Sequence, residues 1–295
     1  MSSLKVMVTG ATGFLGSSVI PALQKNSGFT VYPIGRKECD LSLPQQVRQV
    51  IQTIQPDIVL HLAGLSKVSA AISLEDYFLG NVCLTQNLLT ELQSLVKPIR
   101  FVLISSVHIY GHQTGVVEET ALPHPQSAYA FSKFLAEEAV KKSSKSFSHL
   151  RGTVVRLSSC LGPGQPKGFV ASDLSSKLKT AKTKSLPSIS TGPLNAFRQF
   201  SDQRDIAEAL SILLRLDQST PFEIFNLANP EKKSVQELLN TFLEVTHLKL
   251  AVSSEATTHN PFNGLEMSTA KFHQLAPSFR FRPLRETLQD IWKCS

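Results

Sequence analysis

Lys5-Val6-Met7-Val8-Thr9-Gly10-Ala11-Thr12-Gly13-Phe14-Leu15-Gly16 reads as an apolar strand that runs into glycines three residues apart and then into a helix. Turns use glycine for backbone reasons alone. This triplet sits between a strand and a helix near the start of the chain, which is the context of a dinucleotide-binding turn. Gly10 then allows the tight turn, Gly13 lets the backbone approach a pyrophosphate, and Gly16 lets the helix pack close to the strand. The helix start offers unpaired N–H groups and the positive end of its dipole to the phosphates. Gly10, Thr12, Gly13, Phe14, Leu15 and Gly16 are therefore candidate cofactor residues.

The strand–helix alternation continues outward from this turn. Thr30-Val31-Tyr32-Pro33-Ile34 reads as a second strand whose tip, Gly35-Arg36-Lys37, faces the adenine ribose. An acidic residue there would accept hydrogen bonds from the ribose hydroxyls of NAD, whereas Arg36 pairs with a 2′-phosphate. The tip favours NADP(H), with NAD(H) as the alternative and a solvated Arg-Lys pair as the other meaning of Arg36. Ser42-Leu43-Pro44 opens a helix with Val47, Val50, Ile51 and Ile54 at helical spacing. Asp57-Ile58-Val59-Leu60 is a short buried strand leading into His61-Leu62-Ala63-Gly64, where small residues let a cofactor lie against the strand end. His61 reads as a structural core histidine, with a catalytic role as its other meaning.

Composition sets the outer limits. A chain of 295 residues with 42% hydrophobic and 18% charged residues has the balance of a soluble globular protein. No apolar run nears the roughly 18 residues of a spanning helix and no signal peptide precedes the first strand, so a cytoplasmic protein with no membrane association is expected. Cys39, Cys83, Cys160 and Cys294 lack metal or disulfide-framework spacing, and no metal is expected. The net charge of +7 suits anionic ligands. It is spread along the chain with no basic stripe interleaved with aromatics, so nucleic acid is not an expected partner.

The chemistry sits further on. Phe101-Val102-Leu103-Ile104 delivers Ser105-Ser106 to the C-terminal end of a strand, the edge at which such sheets bind ligands. Tyr129-Ala130-Phe131-Ser132-Lys133 begins a helix, and the spacing of four puts Tyr129 and Lys133 on one face. A phenol titrates near 10 and needs a positive neighbour to work as an acid–base group at neutral pH. Lys133 supplies that charge. Ser106 can hydrogen-bond the same substrate oxygen while hydride moves to or from a nicotinamide.

With these residues in this order the chain resembles the extended short-chain dehydrogenase/reductase family of nucleotide-sugar epimerases, dehydratases and reductases. Matching pieces include His61-Leu62-Ala63-Gly64, Asn81-Val82, Ser105-Ser106-Val107-His108-Ile109-Tyr110-Gly111, Arg156 with Gly162-Pro163-Gly164, and Arg198-Gln199-Phe200-Ser201-Asp202. The resemblance spans nearly the whole length and is greatest to the reductases of 4-keto-6-deoxy nucleotide sugars, particularly the GDP-linked ones. It implies an α/β fold, a Rossmann doubly wound parallel sheet with a smaller, interleaved C-terminal substrate-binding domain. It implies catalysis by Ser106, Tyr129 and Lys133. Cofactor contacts implied beyond the glycine turn are Arg36, Asp40, Leu41, Leu62, Ala63, Gly64, Asn81, Ser105, Tyr129, Lys133 and Leu157. Implied substrate contacts are Lys67, Ser106, Val107, His108, Ser159, Phe169, Val170 and Arg198. The implied substrate is a GDP-, dTDP-, UDP- or CDP-linked sugar, and the implied assembly is a homodimer.

Three departures bear on the reaction. The 4,6-dehydratases of this family carry one or two acidic residues after the catalytic Ser/Thr, where this chain has Val107-His108. The family's substrate-contacting asparagine is Ser159, and the aspartate after the phosphate-contacting Arg198 is Gln199. Reduction of a 4-keto group is the leading expectation. A 4-epimerase with bound NAD is the alternative, and a cofactor-binding sensor without chemistry is the third.

The organisation expected is a cofactor domain over 1–165, with 195–230 returning to it, and a mainly substrate-binding 166–295. The Ser/Lys-rich run 175–185 is either a substrate lid or a solvated helix face. Ser234-Val235-Gln236-Glu237 is a capping box. Leu284 to Trp292 forms the last helix.

Overall fold

Several of these strands are almost uninterrupted apolar runs, and a strand buried on both faces belongs in a parallel sheet covered by helices on either side. The computed structural model, which describes residues 3–69, 71–254 and 265–294, has that arrangement. The first half of the chain holds β1 (Leu4–Thr9), α1 (Gly16–Gln24), β2 (Phe29–Ile34), α2 (Pro44–Ile54), β3 (Ile58–His61), α3 (Leu74–Tyr77), a π-helical turn (Phe78–Cys83), α4 (Leu84–Leu92), β4 (Ile99–Ser106), a 3₁₀ turn (Val107–Tyr110), β5 (Gly115–Val117) and α5 (Ala128–Ser146). The second half holds β6 (Leu150–Leu157), β7 (Ser159–Leu161), α6 (Val170–Thr183), β8 (Ser188–Thr191), β9 (Phe197–Asp202), α7 (Gln203–Arg215), β10 (Phe222–Leu227), β11 (Lys232–Ser234), α8 (Val235–Thr246), β12 (Ala251–Ser254), β13 (Leu265–Met267), α9 (Ala270–Leu275) and α10 (Leu284–Cys294).

These elements fall into two compact units, the first made of Met1–Gly111, Glu119–Leu157 and Ala207–Leu227. Its sheet has the order β10-β6-β4-β3-β1-β2 with every neighbouring pair parallel. From β1 the chain adds β2 on one side and β3 on the other, so the C-terminal ends of β1 and β3 flank the switch point where such sheets bind ligands. The register Thr9↔His61 sets the Gly10 turn beside Leu62-Ala63-Gly64.

Alternation along the strands covers both faces. Met7, Val59, Phe101, Leu103 and Val154 pack against Val47 and Ile51 of α2, Leu88 and Leu89 of α4, and Ala136 and Val140 of α5. Val6, Val8, Leu60, Val102 and Val155, on the opposite face, are buried as well. Helix α2 starts with Pro44 in its first turn, buries Val47, Ile51 and Ile54, and stops at Gln55 in the left-handed conformation.

The second unit comprises His112–Glu118, Ser158–Ile206 and Ala228–Ser295. Its core joins Leu174 and Leu178 of α6, Leu238 and Phe242 of α8, and Leu288 and Ile291 of α10. The capping box forms: Ser234 Oγ accepts from Glu237 N at 3.1 Å and Glu237 Oε2 accepts from Ser234 N at 2.7 Å. Most of the Ser/Lys-rich run lies in α6, with Ser175, Leu178 and Ala181 buried and Lys177 and Lys182 exposed, so it is a solvated helix face. The chain re-enters the first unit at Ala207. Residues 195–206, expected to return with it, stay in the second unit because β9 pairs with β7 and β11. Among the described residues no helix is long and apolar enough to cross a membrane, and no three His, Cys, Asp or Glu side chains group as metal ligands.

Candidate active site

The glycine turn has the geometry of a cradle. Gly10 sits at φ 70, and a Cβ there would come within 2.6 Å of Ala63 N. A Cβ on Gly16 would lie 2.5 Å from the Gly10 and Ala11 carbonyl oxygens, and one on Gly13 3.1 Å from the Gly10 oxygen. Helix α1 begins without a side-chain cap, and Thr12 and Gly13 are exposed. An uncapped helix start behind bare, glycine-lined backbone fits a pyrophosphate. The residues present therefore suit a dinucleotide.

The β2 tip holds a residue that the sequence reading passed over. Glu38 Oε2 accepts from Gly35 N at 2.8 Å, and a Cβ on Gly35 would meet that oxygen at 2.8 Å and Thr12 Cγ2 at 3.0 Å. A carboxylate thus stands between the strand tip and the glycine turn, next to exposed Arg36. Its position four residues past the strand end hid it from a search for an acid at the tip itself. Asp40 accepts from Ser42 N and Oγ, which holds its carboxyl below the usual range, and Leu41 is buried with its carbonyl accepting from Asn87 Nδ2.

The loop after β3 is pinned from below. The wider π-helical turn directs Asn81 inward, where Oδ1 accepts from Leu65 N at 2.9 Å and Nδ2 donates to Leu65 O at 3.2 Å and to Ser132 Oγ at 2.9 Å. Asn81, a candidate cofactor contact, fixes the Gly64-Leu65 backbone to α5. Ser132 Oγ in turn donates to Tyr129 O at 2.8 Å.

Ser106, Tyr129 and Lys133 all lie in the first unit and all are buried. Ser106 caps the 3₁₀ turn, its oxygen accepting from His108 N at 3.3 Å, and its hydroxyl also hydrogen-bonds the Tyr129 phenol. Tyr129 follows the Ser127 cap of α5 and stands edge-on to His108 and Tyr77, with ring centroids at 5.5 and 5.8 Å. Burial pushes its phenol above the ordinary value, and hydrogen bonding to Ser106 pulls it back. Burial lowers the Lys133 ammonium to about 8, against the opposing charge of Glu137. Tyr77, also unforeseen, donates to Lys67 O at 2.7 Å and accepts from Ser69 N at 3.0 Å. Its signal is a non-local contact that no spacing rule reveals.

His61 is structural in its bonding. Its Nδ1 lies 2.7 Å from Thr9 Oγ1, and burial, followed by the charge of Lys133, pushes it down to about 3. Lys67 is exposed, His108 half-buried and Val107 buried to the same degree as its neighbour Ser106. Leu157 and Ser105 are buried at the ends of β6 and β4. The remaining expected substrate residues belong to the second unit: Ser159 opens β7, Phe169 and Val170 start α6, and Arg198 in β9 donates to Phe197 O. Gln199, where the family has aspartate, exchanges both amide bonds with the Met267 backbone of β13.

Residues 6–228 match the NAD dependent epimerase/dehydratase family. The chain belongs to that family. It is an enzyme of the extended short-chain dehydrogenase/reductase type, in the NAD(P)-dependent branch that contains nucleotide-sugar dehydrogenases, reductases and epimerases. It is 28% identical to the GDP-6-deoxy-D-talose 4-dehydrogenase of Aggregatibacter actinomycetemcomitans, over 98% of this chain and 97% of that one. It is 26% identical to the GDP-6-deoxy-D-mannose reductase of Pseudomonas aeruginosa, over 84% of this chain and 82% of that one. The structure of RMD from Pseudomonas aeruginosa complexed with NADPH superposes with a TM-score of 0.88 at 23% identity, covering 99% and 98% of the two chains, which establishes the shared fold.

Proposed function

We propose that this enzyme reduces the 4-keto group of a nucleotide-linked 6-deoxy sugar with NADPH. The observation that carries the reading is the burial of Ser106, Tyr129 and Lys133 in one unit with the glycine cradle, on a chain whose relatives include a 4-dehydrogenase and a reductase of GDP-6-deoxy sugars. The cofactor, when held by the Gly10–Gly16 turn, supplies hydride. Tyr129 Oη gives its proton to the carbonyl oxygen, Ser106 Oγ donates a hydrogen bond to the same oxygen, and the Lys133 ammonium favours the phenolate left behind. One hydride and one proton make a secondary alcohol from the ketone. Elimination of water would need further acid and base groups, and positions 107 and 108 hold a buried valine and a histidine. Arg198, Ser159, Phe169 and Val170 are the proposed contacts to the nucleotide and sugar, whose base is one of G, dT, U or C.

Glu38 favours a second reading. A carboxylate at the β2 tip accepts from ribose hydroxyls and repels a 2′-phosphate, which suits NAD and with it a 4-epimerase that retains its cofactor. Exposed Leu74, Phe78 and Leu79 on α3 and the π-helical turn, with exposed Phe131 on α5, support a homodimer through these helices. Light scattering tests that assembly.

The deciding experiment presents 4-keto-6-deoxy sugars on each of the four nucleotides and follows absorbance of NADPH and NADH. Stoichiometric NADPH consumption with formation of a 4-hydroxy product is the expected result. Interconversion of two 4-hydroxy sugars with tightly held NAD and no net consumption would establish the epimerase instead.

A further inference from the structure

Arg156 and Tyr110 stand in sequence blocks that mark the family, yet neither has a part in the chemistry above. Arg156 is 2% exposed in β6. Its Nε and Nη2 donate to both carboxylate oxygens of Glu137 in α5, the shortest at 2.7 Å. Its Nη1 donates to Tyr110 Oη at 2.9 Å and to Glu119 O at 3.3 Å, and the guanidinium lies 4.8 Å from the centre of the Tyr110 ring. Tyr110 Oη donates onward to Asn226 Oδ1 at 2.7 Å in β10.

Stability alone is a poor reason for such a cluster, because apolar residues of equal volume often replace a buried ion pair at no loss. What the cluster is attached to gives a better one. Tyr110 ends the 3₁₀ turn that begins directly after Ser106. Glu137 lies one turn beyond Lys133 and two beyond Tyr129 on the same face of α5. A single guanidinium therefore grips both elements that carry the candidate catalytic groups.

We propose that the Arg156–Glu137 pair is a positioning element with an electrostatic output, fixing the Ser106 turn against α5 and holding a carboxylate one turn from Lys133 so that this lysine keeps its proton. The proposal rests on the roles given above to Ser106, Tyr129 and Lys133. Lys133 also faces His61 of β3, which burial keeps neutral, and one turn back on its own helix stands Tyr129, whose ring meets Tyr77 of α3 and His108 of the 3₁₀ turn edge-on. Glu137 is the carboxylate whose charge acts on Lys133. Its removal takes away that attraction and leaves the Arg156 cation uncompensated, so both consequences lower the proton affinity of Lys133.

The test is the titration of Lys133 itself, followed through its side-chain nitrogen in ¹⁵N-lysine-labelled protein, with Lys133→Met to assign the signal. Glu137→Gln should lower its titration midpoint by about one pH unit or more, while Glu137→Asp, which keeps the carboxylate, should retain most of it. An unchanged midpoint in Glu137→Gln would overturn the proposal. If that variant does not fold, the volume-conserving pair Glu137→Met with Arg156→Met serves instead, with a smaller fall expected and an unchanged midpoint again decisive. The readout needs no substrate. A shifted midpoint in a protein that reduces no 4-keto sugar would sink the reductase reading and leave this inference standing, and an unmoved midpoint in an active reductase would do the reverse.

Discussion

A Cβ placed on Gly10 would lie 2.6 Å from the backbone nitrogen of Ala63, and the residue itself sits at φ 70. Both facts come from the same requirement, that the ends of β1 and β3 approach closely beside the turn. Gly10→Ala should lower stability by about 1–3 kcal/mol from the backbone conformation alone, with the clash in addition. It should also abolish cofactor binding in a fluorescence titration. Gly164→Ala is the control, since Gly164 has φ 77 but open space around it. Equal behaviour of the two variants would remove the close approach as the reason for Gly10.

Tyr129→Phe removes one oxygen from a ring held by His108 and Tyr77, and leaves those edge contacts in place. Turnover should drop by roughly two to four orders of magnitude while the cofactor dissociation constant hardly moves. Lys133→Ala should impair both. Wild-type turnover in the phenylalanine variant would end the proton-transfer assignment.

At the β2 tip two side chains of opposite sign compete to read the ribose. Arg36→Ala should weaken NADPH more than NADH, by a few fold given its exposure, because a charge-assisted pair to the 2′-phosphate is lost. Glu38→Gln should move the NADPH-to-NADH affinity ratio the other way by about tenfold, since it removes a repulsive carboxylate that now accepts from Gly35 N. Dissociation constants for both cofactors in both variants decide it, and a ratio that neither variant changes would exclude both residues from the choice.

The sequence made legible what depends on local pattern. The Gly10 turn, the buried runs of β3 and β4, the Tyr129–Lys133 spacing and the Ser234 capping box all follow from periodicity or fixed offsets, and each occurs where the pattern puts it. What stayed hidden depends on contacts between distant segments. The amide of Asn81 meets Leu65 and Ser132, sixteen and fifty-one residues away. Glu137 meets Arg156, and Tyr77 meets the backbone of Lys67. The short strands β5 and β7, of three residues each, carry too little periodicity to be read at all.

His61 makes the acid side of the stability curve a test of the buried site. Its Nδ1 bonds Thr9 Oγ1, its Nε2 has no partner among the described residues, and its folded value of about 3 lies well below the ordinary 6.5. A histidine held neutral in the folded state takes up its proton first in the unfolded chain. Its contribution is therefore fully present above about pH 6.5 and is lost as the pH falls toward 3, at about 1.4 kcal/mol per unit. His61→Leu should cost about 1 kcal/mol at pH 7 through loss of the Thr9 hydroxyl's bond to the imidazole, and should make the loss of stability between pH 7 and pH 4 shallower by roughly 3 kcal/mol. Urea unfolding at a series of pH values measures both. The same slope in variant and wild type would mean that His61 becomes protonated within the folded protein, and that the space beside Lys133 is wetter than its burial implies.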